Sequence, residues 1–544
     1  MGGGLRIYND EAYLRCLYSR MKLSLTNILC LAALATQLHA SPTQARNSDQ
    51  SKPNIVVIMP DDVSPFDVSA YHRGLGGVMT PNIDRLAKEG MMVSDYYAQP
   101  SCTGGRAAFI TGQYPIRTGL TSVGQPGSTV GLQAEDVTLA ELLKGHGYAT
   151  GHFGKSHLGD RNEFLSTVHG FDEFFGFLYH LNMMEMPAQP EFPKDPDFAG
   201  RPRNVIYSRA TDRVDPTVHP RWGRVGKQVI EERGMLLPER METFDDEVFD
   251  ASIDWLKRTK ETGKPFLLWF NPTRMHQQTH VSDEWAGKSG HTVYADGLLQ
   301  LDALVGDLLD ALDEMGMSDN TIVLFTSDNG ANLQHWPDSG VGGPFRGSKG
   351  LTWDGGFRVP MLVRWPGHVP AGGWTGEFMT SEDWLPTLMA AVGEDDVKEK
   401  LLVGHAVGES TFKVHLDGYD QTNLIKGTGP SNRREFFFFG ENDLNAVRVD
   451  QWKIHLAIKD SWIGTREKLS AGMIIDIKLD PFERTPETPG HFLWMKEKTW
   501  ILPIIAPPLV KFAKSMKTFP PRQKGTGIGA AAMLSMLDDK GASD

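Results

Sequence analysis

The chain has 544 residues, 40% of them hydrophobic and 23% charged, which is long enough for one large core and a smaller domain. A formal net charge of −13 argues against nucleic acid as a partner. An anionic ligand would therefore need a local cationic pocket within a negative surface.

Residues 21–40 have the composition of a secretory signal. Basic residues precede a short apolar run at 28–34, and Ala40 is a plausible cleavage point. The run is too short to cross a bilayer. We therefore predict that residues 1–40 are an N-terminal extension and signal peptide, with Met21 as an alternative start. On this prediction the mature chain has no membrane span and is exported to the periplasm or the extracellular space.

Three cysteines occur, and export changes what they can do. Cys16 and Cys30 would leave with the signal, so Cys102 would remain alone and could form no internal disulfide. A lone cysteine is usually a small buried apolar residue, and at a helix start it can be a simple thiolate nucleophile. A single cysteine in an exported chain favours a chemical role.

The mature region alternates strand-like and helix-like segments, which predicts βαβ units around a mostly parallel sheet. Helices are predicted at 137–144, 247–260 and 294–312 from apolar periodicity and from a closing glycine pair. Four predicted strands run into polar clusters: 54–59 before Asp61 and Asp62, 148–153 before Lys155 and His157, 266–270 before Arg274 and His276, and 322–325 before Asp328 and Asn329. Because the carboxyl ends of parallel strands meet at one sheet edge, these clusters predict an active site there.

The remaining segments suggest how the chain is divided. Residues 187–220, rich in Pro, Asp and Arg, predict a long surface insertion that shapes the pocket. The residue pattern changes near Arg433, and the following segment is predicted to form antiparallel strands with short turns. The predicted boundaries are an α/β catalytic domain at 53–430, an α+β subdomain at 431–524 and a loosely ordered tail at 525–544. Three prolines interrupt the apolar stretch at 500–509, so it is predicted to be packing surface and not a membrane span.

The two acidic clusters predict a metal site. Asp61, Asp62, Asp328 and Asn329 offer only oxygen ligands, which suit Ca²⁺ or Mg²⁺ and not zinc. Taken singly, each pair also fits a helix cap or a turn. Placed together at the ends of two parallel strands, they favour one divalent cation, and Ca²⁺ over Mg²⁺ because calcium tolerates irregular geometry.

The stretch from Ser101 to Gly112 resembles the signature of the sulfatase family, Cys-x-Pro-x-Arg followed by Thr-Gly. Cys102, Arg106 and Thr111 match it, and Gly104 stands where the family has proline. Other segments of the chain resemble further motifs of the family and occur in the same order as in the family. They are Asp61-Asp62, Gly154-Lys155-Ser156-His157, Pro272 to His276, Asp328-Asn329, Lys349 within Gly347 to Pro360, and Asp480-Pro481-Phe482-Glu483.

This resemblance implies an α/β fold like that of alkaline phosphatase, with a large, mostly parallel sheet flanked by helices and a smaller C-terminal α+β domain. It also implies that a formylglycine-generating or equivalent maturation enzyme oxidises Cys102 to formylglycine. Cys102 would then belong both to the catalytic residues and, with Asp61, Asp62, Asp328 and Asn329, to the metal-binding set.

The resemblance further implies a role for each catalytic residue. Lys155 and Lys349 would bind sulfate oxygens, and Arg106 would hold the hydrated formylglycine. His276 would protonate the leaving alcohol, and His157 would take the proton whose loss expels sulfate. His280 competes for the role of His276 on sequence grounds alone.

The predicted function is hydrolysis of small or oligomeric sulfate esters of the arylsulfatase type, releasing an alcohol or phenol and inorganic sulfate. One alternative is a phosphonate monoester or phosphodiester hydrolase on the same site. Another is a non-catalytic protein that binds sulfated polymers, if Cys102 is not matured.

Overall fold

The computed structural model describes residues 52–336, 338–340 and 343–525. The predicted signal peptide, Cys16 and Cys30 lie outside the described residues, as does all but the first residue of the predicted tail at 525–544. Among the described residues, no helix is both long and apolar enough to cross a membrane.

A ten-stranded sheet organises the larger part of the chain. Its strand order is β10-β2-β9-β8-β1-β7-β3-β4-β5-β6. The strands are Asn54–Ile58 (β1), Met91–Tyr97 (β2), Ala149–Lys155 (β3), Glu173–Phe177 (β4), Ile206–His219 (β5), Gly223–Glu232 (β6), Phe266–Asn271 (β7), Thr321–Phe325 (β8), Leu362–Arg364 (β9) and Gly373–Thr380 (β10).

The central block β8-β1-β7-β3-β4 is parallel throughout. Antiparallel pairs occur only towards the two sides, at β2 with β9, β8 with β9, β4 with β5 and β5 with β6. The three middle strands β8, β1 and β7 are almost completely buried, as expected when helices cover both faces of a parallel sheet. The predicted fold class is confirmed.

Helices cover both faces of this sheet. The helices are Ser69–His72 (α1), Pro81–Glu89 (α2), Cys102–Thr111 (α3), Pro115–Thr118 (α4), Leu139–Gly145 (α5), Leu181–Glu185 (α6), Pro238–Met241 (α7), Phe244–Thr262 (α8), Val293–Glu314 (α9), Trp384–Ala391 (α10), Val397–Val403 (α11), Thr422–Ile425 (α12), His491–Glu497 (α13) and Leu502–Thr518 (α14). Alternate residues of β1 enter two separate cores: Ile55 and Val57 pack with α3, α5 and α10, while Val56 and Ile58 pack with α2, α8 and α9.

The segment predicted as a surface insertion differs from the expectation in its second half. Ile206–His219 is a long strand that pairs with β4 and forms a largely exposed hairpin with Gly223–Glu232. The polar composition of a strand exposed on both faces hides it from pattern analysis, because no alternation of apolar residues marks it.

The C-terminal region contains a separate antiparallel sheet in the order β13-β14-β15-β16. Its strands are Glu435–Gly440 (β13), Asp443–Val449 (β14), Trp452–Ile458 (β15) and Glu467–Asp476 (β16), and a two-stranded ribbon of His405–Val407 (β11) and Ser410–Phe412 (β12) precedes it. This sheet and the helices α13 and α14 form the predicted smaller α+β unit. Its boundary at residue 430 stays a prediction.

The prolines of the 500–509 stretch do not interrupt its structure. α14 runs through Pro507 and Pro508 from Leu502 to Thr518. A proline removes one N–H and disturbs the carbonyl four residues earlier. These two prolines lie near the start of the helix, so the disturbed carbonyls are those of Pro503 and Ile504, which are exposed to solvent.

Candidate active site

The carboxyl ends of β8, β1, β7 and β3 meet at one sheet edge, and the four predicted polar clusters converge there. Asp61 and Asp62 follow β1, and the backbone N–H of Asp62 donates to Asp328 Oδ1 beyond β8 at 3.2 Å. Asp62 has a φ of 61°, a left-handed conformation that Asp tolerates better than most residues. The turn lets two consecutive carboxylates face the same site.

Cys102 is the first residue of α3, at the positive end of the helix dipole. Its Sγ lies 3.3 Å from Asp61 Oδ1, 4.0 Å from Asp62 Oδ1 and 2.9 Å from Lys349 Nζ. The side chain is fully buried. The nucleophile predicted from the sequence therefore lies inside the predicted metal site.

Arg106 follows Cys102 by one helical turn, so the two side chains lie on the same face of α3. Its Nη2 forms a 2.8 Å ion pair with Asp328 Oδ2, and its Nη1 donates to the carbonyl of Lys155 at 3.2 Å. Gly105 allows this approach, because a Cβ there would lie 1.7 Å from the carbonyl oxygen of Asp328. Glycine is thus required where α3 crosses the end of β8.

Two lysines neutralise the carboxylates that follow β1. Lys155 Nζ forms an ion pair with Asp61, and Lys349 Nζ forms one with Asp62. Both side chains are buried or nearly so. Arg106 pairs with Asp328, so three acidic and three basic groups balance within a few ångströms.

The residues predicted to bind metal fit a divalent cation. Asp62 Oδ2 and Asn329 Oδ1 are buried oxygens with no hydrogen-bond partner, although Asn329 Nδ2 donates to Asp62 Oδ1 at 2.8 Å. Buried polar atoms are normally paired, so these two unpartnered oxygens fit a site that holds a cation. One ligand atom each from Asp61, Asp62 and Cys102 also lie within 4.8 Å of one another. An oxygen-rich set of this kind suits Ca²⁺ or Mg²⁺.

Burial is the largest influence on the pKa values of these acids. It raises the pKa of Asp62 to about 7, with Lys349 opposing and Asp61 adding to the increase. Burial and the Asp61 carboxylate also raise the pKa of Asp328. Burial would raise the pKa of Asp61 as well, but Lys155 and other cations hold it well below its usual value. A divalent cation would remove the cost of ionising all three together.

The encoded thiol is a poor nucleophile in these surroundings. Burial, reinforced by the Asp61 carboxylate, raises the pKa of Cys102 to about 12. The thiol is therefore protonated at neutral pH, and only the thiolate is strongly nucleophilic.

Histidines form the opposite wall. Both ring nitrogens of His157 and the Nδ1 of His276 are buried without hydrogen-bond partners. Burial lowers the pKa of each well below its usual value, so both rings are neutral at pH 7. His280 is partly exposed, and its Nε2 lies 3.5 Å from Glu185, which is not one of the acidic residues of the site. This favours His276 over His280 as the site histidine.

His180 is a site residue that the sequence analysis missed. It caps α6, accepts from the N–H of Met183 at 3.2 Å, and stacks on His276 with ring centroids 5.9 Å apart. Its ring is also 5.9 Å from that of His157. It follows β4, but Leu178 and Tyr179 separate it from the strand, so no polar cluster marks this strand end as one marks the other four.

A cleft of about 600 Å³ opens from these groups to solvent. His180, His276 and Lys349 form its inner end, and Trp462 and Ile463, in the turn between β15 and β16, line its rim. The C-terminal region therefore helps to shape this cleft. None of the described residues lining the cleft falls within 187–220, so the expected contribution of that segment is wrong for this cleft.

The Asp480–Glu483 block ties the C-terminal sheet to the lysine block. Glu483 is fully buried and accepts from the N–H of Asp354 at 2.6 Å, from Lys453 at 2.8 Å and from His455 at 2.8 Å. Asp354 lies in the same loop as Lys349, so this buried network supports the position of that lysine from behind.

The fold is that of hydrolases with an alkaline-phosphatase-like core, and the converging acidic and basic side chains form a buried site that could hold a cation. The sulfatase family model matches residues 53–394. The chain belongs to the sulfatase family and is a sulfuric ester hydrolase.

Similar proteins include human arylsulfatase A, which is 33% identical over 75% of this chain and 76% of its own length. N-acetylgalactosamine-6-sulfatase of Sus scrofa is 31% identical over 77% and 74% of the two chains. Among solved structures, PsFucS1 sulfatase from Pseudoalteromonas sp. matches with a TM-score of 0.74 and 27% identity over 87% of this chain and 92% of its own.

Proposed function

We propose that this protein hydrolyses sulfate monoesters through a formylglycine derived from Cys102, together with one divalent cation. The observation that carries the proposal is the position of Cys102, enclosed by carboxylates and lysines with a thiol pKa of about 12. A thiol held protonated in this way is a weak nucleophile, whereas an uncharged aldehyde hydrate tolerates the same surroundings. The proposal therefore includes a maturation enzyme as a partner.

Asp61, Asp62, Asp328 and Asn329 would hold the cation. The unpaired oxygens of Asp62 and Asn329 support this set, and the mixture of carboxylate and amide oxygens favours Ca²⁺ over Mg²⁺. When bound, the cation supplies positive charge that polarises the sulfate and the attacking hydroxyl.

Charge balance favours an anionic substrate. Three acids and three bases cancel in the protein alone, and the histidines are neutral. A divalent cation would leave two positive charges in a buried site, where an anion is strongly attracted. This local charge also explains how a protein of net charge −13 can bind an anion.

Each side chain of the site has its own role in the proposed reaction. Lys155 and Lys349 would bind sulfate oxygens, and the hydrated formylglycine would supply the nucleophilic hydroxyl. His276, neutral in the protein alone, would be protonated once the anionic ester lies beside it and would give its proton to the leaving oxygen. His157 would take the proton whose loss from the second hydroxyl expels sulfate, and would then release that proton to solvent.

Export to the periplasm or the extracellular space is part of the same proposal, supported by the signal-like composition of residues 21–40. Secreted protein whose mature N-terminus lies near residue 41 is the expected finding. Full-length protein retained in the cytoplasm would contradict it.

The test combines chemistry at Cys102 with substrate choice. Mass spectrometry of the Cys102 peptide should find formylglycine in active protein, and Cys102→Ala should abolish turnover of nitrophenyl sulfate. Fully active protein with unmodified cysteine would contradict the nucleophile. A higher kcat/KM for nitrophenyl phenylphosphonate or a phosphodiester than for nitrophenyl sulfate would favour the phosphorus ester alternative. Protein with unmodified cysteine that binds sulfated polymers without turnover would favour the binding-protein alternative.

A further inference from the structure

The helices α13 and α14 present an unusual number of exposed apolar side chains. Nineteen large apolar side chains are exposed among the described residues, and six of them lie within 492–510. They are Phe492, Leu493, Trp500, Leu502, Ile504 and Val510, with exposed fractions between 36% and 66%. We call these six side chains the apolar patch. Patches of this kind on a folded protein mark interaction surfaces.

The exposed side chains of α14 change from apolar to basic along the helix. Ile505 is buried and Phe512 packs against Phe437 of the C-terminal sheet, which fixes the inward side. Leu502, Ile504 and Val510 are exposed in the first half of the helix, with Leu502 and Ile504 on opposite flanks of the outward side. Lysines at 511, 514 and 517 occupy its second half, and the helix contains no acidic residue.

The charge of this region is opposite to that of the whole chain. Residues 491–524 contain seven lysines and arginines and one acidic residue, Glu497, whereas the complete chain has 55 basic and 68 acidic residues. Apolar side chains next to a cluster of lysines, on a helix that lies on the protein surface, are typical of segments that bind in the interface of an anionic membrane.

We propose that α13 and α14 dock this protein onto an anionic lipid surface. The apolar patch enters the boundary between headgroups and acyl chains, while Lys511, Lys514 and Lys517 contact the anionic headgroups. The occupant is a bilayer and not a soluble polyanion, because a polyanion would need the lysines but would gain little from Phe492 or Val510. The attachment is interfacial, since α14 has only 17 residues and two internal prolines.

Vesicle sedimentation of the full chain tests this proposal. Vesicles of phosphatidylcholine with phosphatidylglycerol should bind the protein, and vesicles of phosphatidylcholine alone should bind it much more weakly. Replacing Lys511, Lys514 and Lys517 together by Glu should lower the partition coefficient by about two orders of magnitude, because each basic residue near an anionic surface contributes about fivefold. The control is Lys264→Glu with Lys468→Glu, two exposed lysines elsewhere, which should bind like the wild type.

A second pair of variants tests the apolar contribution. Leu502→Ser with Val510→Ser keeps every charge and should lower the partition coefficient about tenfold or more, since each large side chain contributes over 1 kcal/mol on burial. Val403→Ser with Trp374→Ser, which removes comparable exposed side chains elsewhere, should not change it. All of these positions are exposed, so the variants should keep the wild-type Tm.

Several results would overturn the proposal. Failure of the full chain to bind either vesicle would do so, and is expected if another part of the chain covers the patch. So would a dimer in light scattering that Val510→Ser converts to a monomer, which would make the patch a self-association surface. Binding to heparin that depends on the three lysines but not on Leu502 and Val510, without vesicle binding, would assign the region to a soluble polyanion.

Discussion

Lys349 Nζ lies 2.9 Å from Cys102 Sγ, although 247 positions separate the two residues in the chain. Backbone hydrogen bonds on both sides of the contact fix it. The N–H of Lys349 donates to the carbonyl of Ala331 at 2.9 Å, and the N–H of Gly350 donates to that of Pro100 at 2.7 Å. The loop that carries the lysine is thus attached to the segment that follows β8 and to the segment that precedes Cys102.

The adjacent glycines of α3 should respond oppositely to substitution. A Cβ on Gly104 would meet one tight contact, 3.3 Å from Ser101 Oγ, which a small rotation of the serine side chain relieves, so Gly104→Ala should raise the unfolding free energy by about 0.5–1 kcal/mol. A Cβ on Gly105 would lie 1.7 Å from the Asp328 carbonyl, so Gly105→Ala should cost about 3 kcal/mol or more. Thermal unfolding of both variants is the measurement. Equal effects would show that α3 does not approach β8 as closely as described.

Asp62 should make the metal-free protein sensitive to pH. Its pKa is raised to about 7 in the folded state from an ordinary value of 3.8. The folded state therefore binds the extra proton between these values, and stability falls as the pH rises through this range. In denaturant unfolding with a chelator present, the change in unfolding free energy over this pH range should be smaller for Asp62→Asn than for the wild type by at least about 1 kcal/mol.

The matched control for this experiment is Asp212→Asn, an exposed acid, which should leave the pH profile unchanged. Adding Ca²⁺ should stabilise the wild type at pH 7 more than it stabilises Asp62→Asn. Equal stabilisation of both proteins would remove Asp62 from the metal site.

His180 should give the folded protein a pH dependence of stability opposite to that of Asp62. Burial, with Lys155 next in size, lowers its pKa to about 3 from an ordinary value of 6.5. The unfolded state therefore binds more protons, and stability is lost as the pH falls below the unfolded value. The wild-type free energy of unfolding should fall between about pH 6.5 and about pH 5, and His180→Gln should make that fall smaller by about 2 kcal/mol. The exposed His219→Gln is the control, and identical profiles for the two variants would contradict the buried neutral state.

His276→Ala should harm substrates with poor leaving groups most. A general acid matters when the leaving alcohol is weakly acidic, so kcat/KM should fall about 100-fold or more for sugar or alkyl sulfates and much less for nitrophenyl sulfate. His280→Ala, at the partly exposed neighbour, is the matched control and should affect both substrates little. Equal losses on all leaving groups would assign His276 to substrate binding.

The strands that build the site could be predicted from the sequence because their signals are local. Runs such as 55–58 and 322–325 are apolar throughout, which is typical of strands covered on both faces. The first is followed by Asp61 and Asp62, and the second by Asp328 and Asn329. The rule that parallel strands present their carboxyl ends at one edge then brings Asp61 and Asp328 together without coordinates. The signature around Cys102 also lies within one short segment.

Only the tertiary structure decided which charges pair and what else faces the cleft. The pairing of Asp61 with Lys155 and of Asp62 with Lys349 depends on strand order and on a distant loop, neither of which leaves a local pattern. His180 escaped prediction because it follows an ordinary strand with no acidic neighbour. The exposed strand Ile206–His219 escaped because it buries no apolar stripe. The sequence by itself determined the elements and their chemistry, since these depend on neighbouring residues. Contacts between residues hundreds of positions apart depend on how the layers pack, and the structure alone decides them.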